Sequence, residues 1–247
     1  MVEGVHFLAG QDPADVAWKL VATNLSDLAA KGAEPLGVLL GYQLAAGDSR
    51  FASGLGEVLE YYAVPLLGGD TVGGSGPQVL GLTALGRATH RPVPSRSGAR
   101  AGDALWLTGA LGGAMAGLEV LRSGTGDSLA FRRPRALLAQ GRALAPQVTA
   151  MMDVSDGLLL DAARMARASR VTFAIDSAAV PLAVPQDRRS EALRWGDDYQ
   201  LLFTLPAGAV PAVSAFHIGE AIAGRSAAIF LDGLPLDESA KLGFEHG

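Results

Sequence analysis

Apolar and polar positions along this chain switch between a helical and a strand-like period. Over residues 12–31, Val16, Leu20, Val21, Leu25 and Leu28 cover about half of a helix circumference at 100° per residue. Asp12 is placed to cap that helix, Pro13 fits its first turn, and Asp15 sits at N3. Gly32 then reads as the residue after its end, and Pro35 forbids its return. Residues 49–62 repeat the pattern through Phe51, Leu55, Val58, Leu59 and Tyr62. Residues 112–122, 134–144, 157–168 and 186–194 also read as helical. Strands are predicted at 36–44, 65–67, 78–88, 104–108, 171–176 and 201–205, with strand-like residues from Val2 to Phe7. Asp232-Gly233 is a hairpin signal between residues 229–231 and Leu234. Residues 90–102 are rich in turns and in Arg, and separate a unit at 1–89 from one at 103–247. The expected fold is therefore α/β (α+β) in two units.

The stretch MMDVSDGLLLD (151–161) carries the most chemistry. A buried strand end is followed by Asp153, Ser155 and Asp156, then by Gly157 and a leucine run that reads as a helix. Strand, acidic turn and helix deliver side chains to the carboxyl edge of a sheet, where ligands of α/β folds sit. Carboxylates so close repel each other unless a cation lies between them, and Mg²⁺ suits hard oxygen donors plus substrate phosphates. The plain alternative is a Ser155 helix cap with Asp156 at the helix's positive end. Asp70 in Gly68-Gly69-Asp70-Thr71 reads as a second acidic strand exit, its glycines allowing close backbone approach to a ligand. Its alternative is an ordinary turn. Asp27 lies on the edge of the first helix's apolar arc, a costly place for an unpaired acid. Asp197 and Asp198 are adjacent, so at most one is expected to face a site.

Composition narrows the classes. At 49% hydrophobic, 247 residues can bury a sizeable core. A net charge of −5 argues against a broad nucleic-acid surface. The absence of cysteine excludes thiol nucleophiles and disulfides. No apolar run is long enough for a membrane span and no signal peptide is visible, so a cytoplasmic protein is expected. The only lysines are Lys19, Lys31 and Lys241, which leaves no P-loop. Asp27, Asp70, Asp153 and Asp156 together suggest a Mg²⁺ site that neutralises polyphosphate for phosphoryl transfer.

In order, VEGVHF (2–7), NLSDLAAKGAEP (24–35), GGDT (68–71), SRSGARAGD (95–103), DVSDGL (153–158), GDDYQL (196–201) and GFEH (243–246) resemble the thiamine-monophosphate kinase family. That family belongs to the aminoimidazole-ribonucleotide synthetase-like superfamily. The resemblance implies that superfamily's two-domain architecture and a homodimer joined through the N-terminal sheets. It also implies Mg²⁺-dependent transfer of the γ-phosphoryl of ATP to thiamine phosphate, with no phosphoenzyme. By the same resemblance, Asp27, Asp70, Asp153 and Asp156 are Mg²⁺ ligands. Gly69, Asp70, Arg96 and Ser155 contact ATP, while His6, Asp197 and Phe244 contact thiamine phosphate. Asp156 and Arg96 are the catalytic residues that the resemblance implies, with the Mg²⁺ ions and Arg96 carrying the charge. Nucleic acid and membrane are not expected partners.

Three departures accompany the resemblance. The family has Glu where Asp197 stands and commonly Tyr where Phe244 stands. A further stretch, with a Gly-Asp-Asp metal motif, precedes the family's equivalent of Val2, so a reduced metal set and an unpaired sheet edge are expected. Two rival readings are a sister ATP-dependent enzyme of the same superfamily and a nucleotide-binding dimer without turnover.

Overall fold

The computed structural model describes residues 1–224, 228–236 and 241–244. Among them the first half forms α1 (Pro13–Ala29), β1 (Ala33–Gln43), α2 (Asp48–Tyr62), β2 (Leu66–Val72) and β3 (Leu80–Ala88). After residues 89–103, which form neither helix nor strand, come β4 (Ala104–Leu107), α3 (Gly113–Ser123), α4 (Leu129–Arg132) and α5 (Leu138–Leu144). The chain continues with β5 (Ala150–Asp153), α6 (Leu158–Ser169), β6 (Val171–Ile175), α7 (Arg189–Ala192), β7 (Leu201–Leu205), β8 (Phe216–Ala223), β9 (Ile229–Leu231) and β10 (Leu234–Pro235). The described strands make one three-stranded sheet, β2-β1-β3, and one seven-stranded sheet, β10-β9-β6-β8-β4-β7-β5.

Helix α1 joins the two halves. Asp12 caps it by accepting the Ala14 N–H at 3.0 Å. One hydrophobic cluster runs from α1 and α2 through β1 to Met151, Leu201, Phe203 and Leu205 of the second sheet. Burial therefore extends beyond the apolar arc and encloses Asp15, Lys19 and Ser26. At helical spacing these three fall within about 40° of one another. Each finds its partner in the second half: Asp15 with Arg132 and Arg133, Lys19 with Asp197, and Ser26 with Asp153. Buried charge is tolerated only where it is paired. The polar stripe fixes α1 in register against the loops of the second sheet.

Several expected elements change. The strand expected at 65–67 extends to Val72, pairs in parallel with β1 and is exposed along its whole length. The exit turn expected at 68–71 is absent, because Gly68 to Thr71 pair with Leu39 to Tyr42. A Cβ on Gly69 would lie 1.9 Å from the Leu40 carbonyl oxygen, so this glycine serves strand pairing. Residues 2–7 make isolated bridges, Val2 to Val79 and Glu3 to Phe7, instead of a continuous strand. The helix expected from 134 starts at Leu138, since the Pro134 carbonyl takes the Trp18 indole N–H and the Ala136 N–H goes to the Tyr62 hydroxyl. The helix expected at 186–194 divides into a 3₁₀ turn, Gln186–Arg188, and the four-residue α7. Strand β8 lies between β4 and β6 and has no counterpart in the sequence reading. Its Gly219 meets β6, where a Cβ would stand 2.0 Å from the Ala174 carbonyl oxygen.

Candidate active site

Three segments meet at one end of the second sheet. β5 ends at Asp153, and the chain turns through Val154, Ser155 and Asp156 into α6. Asp161, fully buried in the first turn of α6, reaches back to accept the Ser155 and Asp156 N–H groups at 3.0 and 2.9 Å. Burial pushes the Asp161 carboxyl up to about 6, against the pull of those donors and Arg164. Gly157 adopts φ +109°, and a Cβ on Gly196 would lie 2.1 Å from the Ser155 carbonyl oxygen. The segment before β7 therefore lies backbone to backbone on this turn. The Asp197 N–H donates to the Ser155 carbonyl (2.8 Å) and the Tyr199 N–H to the Val154 carbonyl (2.9 Å). The Phe244 N–H donates to the Asp156 carbonyl at 2.8 Å and brings the tail to the same place.

These segments wall a cavity of about 480 Å³ together with residues 4–8, Leu118 and Phe131. His6, Ser155, Asp156, Asp197 and Phe244 all line it, so five of the expected site residues share one space. Trp195 and Tyr199 add aromatic surface; Arg122, Arg194 and Lys241 add positive charge. His6 Nδ1 accepts the Val2 N–H at 3.0 Å, which leaves the imidazole proton on Nε2. The neighbouring acids diverge. Asp197 lines the cavity, whereas Asp198 accepts the Gly112 and Ala114 N–H groups at the start of α3. Burial lifts Asp198 to about 6, with the α3 donors opposing.

The expected metal ligands are more dispersed. Asp153 is buried and accepts the Ser26 hydroxyl at 2.6 Å. Burial raises its carboxyl above the ordinary value, and the nearby Asp27 adds to that rise. Burial also raises Asp27, while Lys31 and Arg96 pull it down. Asp156 pairs with Arg164. Asp70 lies on exposed β2 with its carboxylate turned back to the Thr71 N–H at 2.9 Å. Among the described residues no three His, Asp or Glu side chains gather closely enough to hold a metal ion. The neighbouring pair Asp27 and Asp153 does fit Mg²⁺ chemistry, in which one or two carboxylates bind alongside water and phosphate oxygens. Glu245 and His246 of the expected tail motif lie outside the described residues.

Sequence patterns did not reveal Lys19, Asp161 or Tyr199. Lys19 meets Asp197 across 178 positions, a pairing without local signature. Asp161 was visible as an acid in the first helical turn, but its backward reach depends on the turn's shape.

Residues 1–88 match the N-terminal domain, and residues 100–232 the C-terminal domain, of AIR synthase related protein. The thiamine-monophosphate kinase of Escherichia coli (strain K12) is 38% identical over 229 residues, covering 83% of this chain and 69% of the relative. The Caulobacter vibrioides enzyme of that name is 35% identical over 277 residues, covering 100% of this chain and 78% of the relative. The chain belongs to the thiamine-monophosphate kinase family. Its architecture agrees: the AaThiL complex with AMPPCP and TMP superposes with a TM-score of 0.85 at 31% identity, over 96% of this chain and 82% of that one. As a thiamine-monophosphate kinase family member, the chain has the two-domain α/β fold that its motifs implied.

Proposed function

We propose that this chain transfers the γ-phosphoryl group of ATP to the phosphate of thiamine phosphate, giving thiamine diphosphate and ADP. The observation that carries this reading is one cavity lined by His6, Ser155, Asp156, Asp197 and Phe244, in a chain of this family. An oxygen of the acceptor phosphate attacks the γ-phosphorus, the bond to the ADP oxygen breaks, and no protein nucleophile is needed.

His6 and Asp197 present a donor and an acceptor to thiamine phosphate, and Phe244 offers a face to one of its rings. Gly69, Asp70, Arg96 and Ser155 are the nucleotide-binding residues. Arg96 neighbours Asp27 and Lys31, which supports a phosphate contact there. Asp27 and Asp153 would hold Mg²⁺, with Asp70 and Asp156 as the further ligands that the family pattern assigns. When bound, the ion shields charge on the phosphates and orients them. Around it, Ser26 orients Asp153, and Asp161 fixes the turn that presents Ser155 and Asp156.

The homodimer reading draws support from the first sheet. Leu36, Leu39, Leu66, Leu67, Val72 and Leu85 are exposed there, and a second copy would cover them. Use of ATP argues for the cytoplasm, and no helix among the described residues is long and apolar enough to cross a membrane.

The test is direct. Purified protein is mixed with ATP, Mg²⁺ and thiamine phosphate, and thiamine diphosphate is followed. Product that vanishes in Asp156→Ala, with the fold retained, is expected. Turnover unchanged by that substitution overturns the role of Asp156, and no product from the unaltered protein overturns the reading itself.

A further inference from the structure

Lys19 is almost completely buried, with its side chain 2% exposed, yet its partner Asp197 is 29% exposed and lines the cavity. The ammonium makes three contacts: Asp197 Oδ2 at 2.8 Å, the His6 carbonyl at 3.1 Å and the Phe131 ring, whose centroid lies 3.6 Å away. Those partners come from three different walls of the cavity. The other carboxylate oxygen, Asp197 Oδ1, accepts the Tyr199 hydroxyl at 2.9 Å. Both Asp197 and Tyr199 hold positive φ, +66° and +50°, conformations that non-glycine residues adopt only when their surroundings impose them.

We propose that Lys19 and Tyr199 are positioning residues that hold the Asp197 carboxylate, one oxygen each, with its remaining lone pairs toward thiamine phosphate. The proposal rests on the kinase reading above. A purely structural ion pair would have no reason to leave one member facing a cavity. Here the cation is enclosed and the anion is presented. Each carboxylate oxygen accepts more than one hydrogen bond, so the two anchors leave capacity for a ligand donor. The same ammonium holds the residue 6 backbone, so one buried charge sets the spacing between two of the expected substrate contacts. Arginine could not replace it in kind, because a planar fork does not fit three partners around one point charge.

The test measures dissociation constants for thiamine phosphate and for a non-hydrolysable ATP analogue, with melting temperature as the fold control. Lys19→Met keeps the length of the side chain and removes its charge. It is expected to weaken thiamine phosphate binding about tenfold or more while nucleotide binding stays within about twofold, as loss of a charge-assisted contact implies. Added to Asp197→Asn, it should cost clearly less than Lys19→Met costs alone, because the two changes share the Asp197 carboxylate and only the hold on the residue 6 backbone is lost in addition. Tyr199→Phe leaves the ammonium in place and is expected to weaken thiamine phosphate binding by about threefold. It decides the matter if the Lys19 variant does not fold. Equal loss for both ligands, additive losses in the double variant, or wild-type affinity in Tyr199→Phe overturns the proposal. Failure of the unaltered protein to bind thiamine phosphate overturns the underlying kinase reading, and the proposal with it.

Discussion

Residues 153–157 and residues 68–71 each place an aspartate beside glycine at or near a strand end, and they differ in burial: the first run is buried or half-buried, the second exposed. The first segment is enclosed by α6, the loop before β7 and the tail, with backbone hydrogen bonds to the last two. The second runs along β2, paired on one side with β1 and exposed throughout. Glycine serves close backbone approach in both, to the Ser155 carbonyl from Gly196 and to the Leu40 carbonyl from Gly69. What differs is freedom to yield. A buried loop held from two sides must absorb any added atom as strain, whereas an edge strand can part from its single neighbour. Similar local residues therefore acquire different mechanical roles from the number of surfaces packed against them.

The contrast can be broken most forcefully at Gly196. An added Cβ meets backbone 2.1 Å away in a buried position, so Gly196→Ala is expected to cost about 3 kcal/mol or more in stability. Thermal or denaturant unfolding would show it, and thiamine phosphate binding should fail in the surviving folded fraction. Asp161→Ala should come next. It strips the Ser155 and Asp156 N–H groups of their acceptor at a cost of about 2 kcal/mol, and turnover should fall further than the loss of folded protein explains. Turnover that falls only in proportion to folded protein would deny Asp161 its role in shaping the turn. Gly69→Ala produces a comparable clash, 1.9 Å from the Leu40 oxygen, but on the edge strand. Its expected cost is about 1 kcal/mol, with faster amide exchange confined to residues 66–72. A global cost matching that of Gly196→Ala would erase the distinction between the two segments.

The sequence carried much of this plan because several cues were local. The Asp12 cap, Pro13, the apolar arc of α1 and the short, mostly apolar run at 201–205 depend on neighbours within a turn or a strand. The hairpin at Asp232-Gly233 was equally local, and β9 and β10 flank it. The motifs behind the resemblance contain His6, Ser155, Asp156, Asp197 and Phe244, and the fold brings these five to one cavity. What stayed hidden required tertiary knowledge. The polar stripe of Asp15, Lys19 and Ser26 falls on the face of α1 opposite the apolar arc, where a lone amphipathic helix would meet water. Only the second sheet, packed on that side, turns it into an interior surface. Strand β8 escaped because its exposed Phe216 and His217 and its Gly219 mask the alternation. β2 was shortened because two glycines suggest a turn, although the same glycines allow close pairing with β1.

The mildest change sits just past the edge strand and bears on what its glycines are for. Gly73 has no atom within 4 Å of an added Cβ, and its φ lies outside the left-handed region. An alanine there meets no steric objection and restricts the unfolded chain, so Gly73→Ala should stabilise the protein by about 0.5 kcal/mol. In a chain of this length that corresponds to a rise of about 1–2 °C in melting temperature. Gly69 is explained by Leu40, but nothing in the chain itself explains Gly73. If the nucleotide approaches the backbone of this run, the methyl group should raise the dissociation constant for the ATP analogue while the melting temperature still rises. If both binding and turnover remain at the unaltered level, Gly73 serves chain flexibility alone, and the proposed nucleotide contact in this run is left to Gly69 and Asp70.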